Sequence, residues 1–86
     1  MNLQALRYAV EVEHAGSISL AAENLFMNQP HLSKAIRDLE KEMGFDIFNR
    51  TSRGIVPIDE GEEFLNHAKE VLAKVAVLEQ LREKSK

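Results

Sequence analysis

The sequence predicts a mainly α fold: a winged helix-turn-helix, three helices plus a two-stranded wing, followed by one long C-terminal helix. Three observations lead there. Two stretches of helical periodicity are separated by only the turn residues Phe26-Met27-Asn28. A turn signal, Thr51-Ser52-Arg53-Gly54, stands before the β-branched run Ile55-Val56-Pro57-Ile58, the mark of a hairpin. From Asp59 onward apolar residues recur at helical spacing without a further break. The winged module is expected over 1–58, with the helix-turn-helix at about 18–37 and the wing at about 46–58, and a linker and dimerisation helix over 59–86.

Each element has a local reason. Leu3, Leu6 and Val10, with Ala9 beside them, predict a first helix from about Leu3 to His14, stopped by Gly16. Ser17 is a natural N-cap for a short second helix, about 18–25, whose apolar face is Ala21, Ala22 and Leu25. Asn28 is the next cap, and Pro30 suits a first turn because its missing N–H is no loss there. The third helix is expected from about Gln29 to Met43, with Leu32, Ile36, Leu39 and Met43 on its core face and Gly44 at its end. Phe45 to Arg50 and Ile55 to Ile58 are read as the two strands, with Pro57 limiting the second to an edge. Phe26, Phe45, Phe48 and Phe64 are read as core. The last helix, Asp59 to Lys84, has an acidic start and a basic end that suit its dipole. Phe64, Ala68, Val71, Val75 and Leu78 alternate at four and three, the spacing of a packing seam. Leu65, Leu72 and Ala76 form a second strip, so one strip can cover the chain's own core and the other a second subunit. Ser85-Lys86 reads as a frayed end.

Composition excludes several classes. With 86 residues the chain makes one small unit, and such a unit buries only roughly 60% of its unfolded surface and gains from a partner. There is no cysteine, hence no disulfide and no thiolate zinc finger, and a cytoplasmic setting is expected. No apolar run nears the ~20 residues of a bilayer span, and Met1-Asn2-Leu3-Gln4 does not read as a signal peptide. His14, His31 and His67 fall on three helices without ligand spacing, so no metal and no cofactor is expected. No nucleophile–base pair or phosphate-cradling glycine loop suggests an enzyme.

The net charge of −3 argues against nucleic acid until its distribution is considered. From Asn24 to Arg37 there are two basic residues and no acid, and the same holds from Ile47 to Ile58. A local basic face on an acidic body can still steer toward DNA. In a helix-turn-helix the second helix enters the major groove and its N-terminal residues meet base edges. Gln29, Pro30, His31, Ser33, Lys34 and Arg37 are therefore the expected base-contacting set. A glutamine can read adenine through paired contacts, Pro30 or the carbons of His31 can touch a thymine methyl, and Lys34 and Arg37 can reach guanine or phosphate. Ser17, Ser19, Asn28, Arg50, Ser52 and Arg53 are assigned to the DNA backbone or the wing. The same residues also fit plainer roles: Gln29 and Ser33 as solvated surface, Lys34 and Arg37 as helix charges near Asp38 and Lys41, Arg53 as a solubilising turn residue, and the last helix as purely intrachain core.

The pattern resembles the N-terminal DNA-binding domain of LysR-type transcriptional regulators. The matching residues are Leu3, Leu6, Gly16-Ser17, Ser19, Ala21-Ala22, Leu25, Asn28-Gln29-Pro30, Leu32-Ser33, Ile36, Leu39-Glu40, Gly44, Ile47-Phe48, Arg50, Arg53-Gly54 and Gly61. The resemblance spans essentially the whole chain. It implies double-stranded operator DNA, partly palindromic, as the partner, and a homodimer through the C-terminal helix, with Phe64, Ala68, Val71, Leu72, Val75 and Leu78 at the interface. It also implies a small-molecule effector bound only by a C-terminal domain lacking here, leaves a tetramer open to the full-length protein, and hence implies that this chain is a piece of a longer one. Four positions depart from the family's habit. Asn28 stands for serine, His31 for a smaller residue, Ile58 for the threonine that opens the linker helix, and Glu60 for alanine. The long helix is then expected to be capped by Asp59. A protein–protein adaptor, with the long helix as its working surface, is the alternative from a different class, because fold alone does not give function.

Overall fold

The computed structural model describes residues 1–84 and runs α1 (Leu3–Ala15), α2 (Ile18–Asn24), α3 (Gln29–Met43), β1 (Phe48–Thr51), β2 (Gly54–Pro57), α4 (Asp59–Lys84). The frayed end expected at Ser85-Lys86 lies outside the described residues.

Side chains start the first three helices. Asn2 accepts from the Ala5 N–H at 2.8 Å, Ser17 from Leu20 at 3.0 Å and Asn28 from His31 at 2.8 Å. Gly16 and Gly44 end α1 and α3 with φ of 75° and 82°, where a side chain would be strained. The expected cap on α4 is a correction. Asp59 is already helical, and Ile58 precedes it with its carbonyl accepting the Glu62 N–H at 2.8 Å. The first-turn acids Asp59, Glu60 and Glu62 offset the exposed N–H groups there through charge.

The core forms where α1, α2 and α3 meet the base of α4. Val12, Leu32, Ile36, Ile47 and Leu65 are its largest fully buried side chains. Ala9 and Ala21 are fully buried too, and their small side chains let the helices approach closely. The predicted face of α1 is partly wrong: Leu3 is exposed and Val12 is buried, because the helix turns its Leu6–Ala9–Val12 stripe inward. On α3 the expected Leu32, Ile36 and Leu39 are all buried.

The wing is shorter than expected, pairing Phe48↔Pro57, Asn49↔Val56, Arg50↔Ile55 and Thr51↔Gly54 in antiparallel register. Pro57 has no N–H to extend the ladder, and Phe45 to Ile47 are irregular. Instead, one carboxylate oxygen of Glu40 accepts from the N–H of Ile47 at 2.8 Å and of Phe48 at 3.2 Å. That carboxylate fastens the wing's entry to α3.

Phe26 departs most from the predicted core. It has φ 56° and is 97% exposed, whereas Phe48 is buried and Phe45 meets Phe64 edge-on at 6.5 Å. The turn between α2 and α3 needs a left-handed residue at this position, and that conformation aims the ring outward. A phenylalanine pays for it with strain of roughly 1–2 kcal/mol. We expect Phe26→Gly to stabilise the chain, offset in part by glycine's extra freedom when unfolded, for a net gain under about 1 kcal/mol. Urea denaturation measures it; a clear loss of stability would mean the ring packs on something.

Candidate nucleic-acid interface

The helix-turn-helix and the wing share one side of the molecule because two ties hold them in place and a glycine lets them approach. The Ile55 N–H donates to the Gly16 carbonyl at 3.0 Å, joining the wing to the α1–α2 turn. Gly54 has φ 132°, and a Cβ there would lie 2.6 Å from that same carbonyl, so only glycine permits the approach. The Glu40 carboxylate makes the second tie, described above.

On α3, Asn28, Gln29, Pro30, His31, Lys34 and Arg37 are exposed and Ser33 is half-exposed. They sit opposite Leu32, Ile36 and Leu39, which the core occupies. The helix thus presents an uncovered polar and basic face, with no acid between residues 24 and 37. Arg50, Ser52 and Arg53 are exposed on the wing. Thr51 shapes the wing tip: its hydroxyl donates to the Gly54 carbonyl at 3.0 Å and accepts from the Arg53 N–H at 3.2 Å. The sequence marks Thr51 as part of the turn signal but does not count it among the contact residues; a threonine hydroxyl that bonds the backbone two residues on is a common turn device. Ser17, Ser19, Gln29, Arg50 and Thr51 line one open recess between the helix-turn-helix and the wing.

Five of the expected contact residues, Ser17, Ser19, Asn28, Gln29 and Lys34, already have protein partners for their side chains. The Asn28 oxygen caps α3, which leaves its NH2 to donate outward. Lys34 bonds Asp38 at 2.7 Å, four residues along the same helix, as the plainer reading of that charge anticipates. The bonded Lys34 ammonium holds the Asp38 carboxyl below its ordinary value. Both groups are well exposed, so the pair is weak and a phosphate can compete for the lysine. Gln29 accepts from the Ser19 hydroxyl at 3.1 Å.

The dimer set on α4 divides along the helix. Ala68 is buried within the chain, and Phe64 packs against the core. Leu72 and Val75 are half-buried, and Val71 and Leu78 are exposed. Farther along, Val77 and Leu81 are also exposed, although neither was singled out from sequence. An open apolar groove of about 440 Å³ lies beside the helix base, lined by Leu6, Met43, Phe45, Phe64, Ala68 and Val71 among others. His67 faces solvent with Glu70 at 2.9 Å, and His14 is exposed. Among the described residues no three His, Asp or Glu cluster as a metal site would need, and no helix is long and apolar enough to cross a membrane.

A short helix, a tight turn, an exposed polar helix and a basic hairpin docked beside it define a winged helix-turn-helix module. Residues 3–62 match the family model for bacterial regulatory helix-turn-helix proteins of the lysR family. The chain belongs to that family. It is 37% identical over 75 residues to the HTH-type transcriptional regulator TfdT of Cupriavidus pinatubonensis, covering 87% of this chain and 33% of that protein. It is 40% identical over 72 residues to the nitrogen assimilation regulatory protein nac of Klebsiella aerogenes, covering 84% and 24%. The chain thus spans a quarter to a third of the length of these relatives. In structure it is similar to BenM_DBD in its crystal complex with benA site 1 DNA, with a TM-score of 0.93 and 34% identity over the whole of both chains.

Proposed function

We propose that this chain binds double-stranded DNA sequence-specifically, as a homodimer on a partly palindromic operator, and so regulates transcription in the cytoplasm. The exposed polar face at the start of α3, with no acid before Asp38, carries this reading: nothing else among the described residues covers it, and the core fixes its orientation. In the major groove Gln29, Pro30, His31, Ser33, Lys34 and Arg37 meet base edges. Ser17, Asn28, Arg50, Ser52 and Arg53 meet the backbone, or the minor groove in the case of the wing arginines. Lys34 exchanges Asp38 for DNA as it binds. Helix α4 joins two copies, with Val71, Val75 and Leu78 buried against the partner and the groove beside Phe64 and Ala68 closed by it.

Two substitutions separate these roles. Gln29→Ala is expected to cost about 1–3 kcal/mol on the preferred site and to relax the choice at one base pair. Arg53→Ala is expected to weaken all sequences evenly and lower the salt slope by about one. Titration of labelled duplexes at several salt concentrations reads both. If both variants match the wild type, these contacts are wrong. If no salt-dependent DNA binding is seen at all, the adaptor reading replaces this one.

A further inference from the structure

Ser19 and Gln29 are ten residues apart and on different helices, yet their side chains meet: the Ser19 hydroxyl donates to Gln29 Oε1 at 3.1 Å. The close approach of α2 and α3 makes this possible. Ala21 and Ala22 are buried where the helices pack, and no bulky side chain keeps the second residue of α2 from the first residue of α3. Both partners are exposed, on the side where the recess between helix-turn-helix and wing opens.

A glutamine at a helix start has three rotatable bonds and loses much freedom when it docks on a base. Its amide oxygen has two lone pairs and its nitrogen two hydrogens. One lone pair taken by Ser19 leaves the second lone pair and the NH2, the acceptor and donor that paired contact with an adenine edge needs. We propose that Ser19 is a positioning residue for base reading: it holds the Gln29 amide in its reading orientation rather than touching the DNA backbone itself. This rests on Gln29 reading a base, as argued above. In the free chain water competes for the bond and it contributes little to folding. In the complex the duplex excludes water and the bond strengthens, so Ser19 acts only where Gln29 finds its base.

The test is a double-mutant cycle on the 86-residue chain with Ser19→Ala, Gln29→Ala and the pair. The probes are the duplex that the wild-type chain selects from a random pool and a scrambled duplex of the same composition. Ser19→Ala should weaken the selected duplex about three- to tenfold, the range of one neutral hydrogen bond, and leave the scrambled duplex unchanged. On the Gln29→Ala background it should do nothing further. Ser19→Thr, which keeps the hydroxyl, should restore most of the loss. Equal losses on both duplexes, or a Ser19→Ala loss that persists without Gln29, would mean a direct phosphate contact and overturn the proposal alone. A Gln29→Ala chain that binds the selected duplex like wild type would overturn the proposal together with the base-reading role beneath it. Because Ser19 is exposed, unchanged unfolding midpoints should accompany all three substitutions.

Discussion

Gly61→Ala is expected to destabilise the chain by about 2 kcal/mol or more, although alanine is the better helix former. Helix propensity alone predicts a gain of about 1 kcal/mol for this change within α4. Packing opposes it. A Cβ at Gly61 would lie 1.9 Å from the Ile47 carbonyl oxygen and under 3 Å from its carbon and Cα, and all three atoms are backbone. That backbone has little room to yield. Ile47 is fully buried, its N–H is held by Glu40, and its carbonyl accepts the Ile58 N–H at 3.0 Å. Overpacking commonly costs about 1–3 kcal/mol, and more where no flexible side chain can give way. To fit the methyl, α4 must move off the segment that leads into the wing, and Leu65 loses its place in the core. Urea denaturation settles the sign. A variant as stable as wild type, or more so, would show that propensity wins and that the close approach is soft.

The second large effect is expected at Glu40. Glu40→Ala removes the acceptor for two backbone N–H groups that no strand pairing serves. Hydrogen bonds to charged groups contribute about 1.5–3 kcal/mol each, and donors left without a partner add their own cost. Both donors share one oxygen and are partly buried, so the combined loss should be about 2–4 kcal/mol rather than twice the single value. Glu40→Gln keeps an amide oxygen at the same reach and should lose roughly half as much. On the proposed reading, Glu40→Ala should also weaken DNA binding at temperatures where the variant is still folded, because the wing loses one of its two ties while α3 keeps its place in the core. Circular dichroism and duplex titration on the same samples separate the two effects. Intact binding by a folded Glu40→Ala chain would show that Gly16 and Gly54 suffice to place the wing.

Held side chains recur across the interface. Gln29 is held by Ser19, Lys34 by Asp38 and the wing tip by Thr51 before any ligand arrives. Restraint of this kind lowers the ordering cost of binding more than it raises the number of contacts. The lysine differs from the others: in the proposed complex it gives up its partner, so Asp38 would moderate its pull on a nearby phosphate.

Local chemistry made most of the element order legible in the sequence. Caps at Ser17 and Asn28, stops at Gly16 and Gly44, and the spacing of Leu32, Ile36 and Leu39 act within one or two turns of chain, and the structure repeats them. The exposed face of α3 follows from the same periodicity, since the residues opposite a buried stripe must face outward. Local reasoning failed where a position is decided by what lies across the fold. Phe26 looks like core by composition, but its backbone conformation sends it into solvent. Glu40 looks like one more helix acid, yet it holds the wing. Asp59 looks like a cap and is already inside the helix.

The sequence by itself determined the elements, their ends and the polar character of the recognition face, because those depend on neighbours a few residues away. Only the tertiary structure decided why residue 61 must lack a side chain, how the wing is joined to the first turn, and that Ser19 reaches Gln29. Such contacts depend on distances between distant segments once the core has closed, and no periodicity along the chain encodes them.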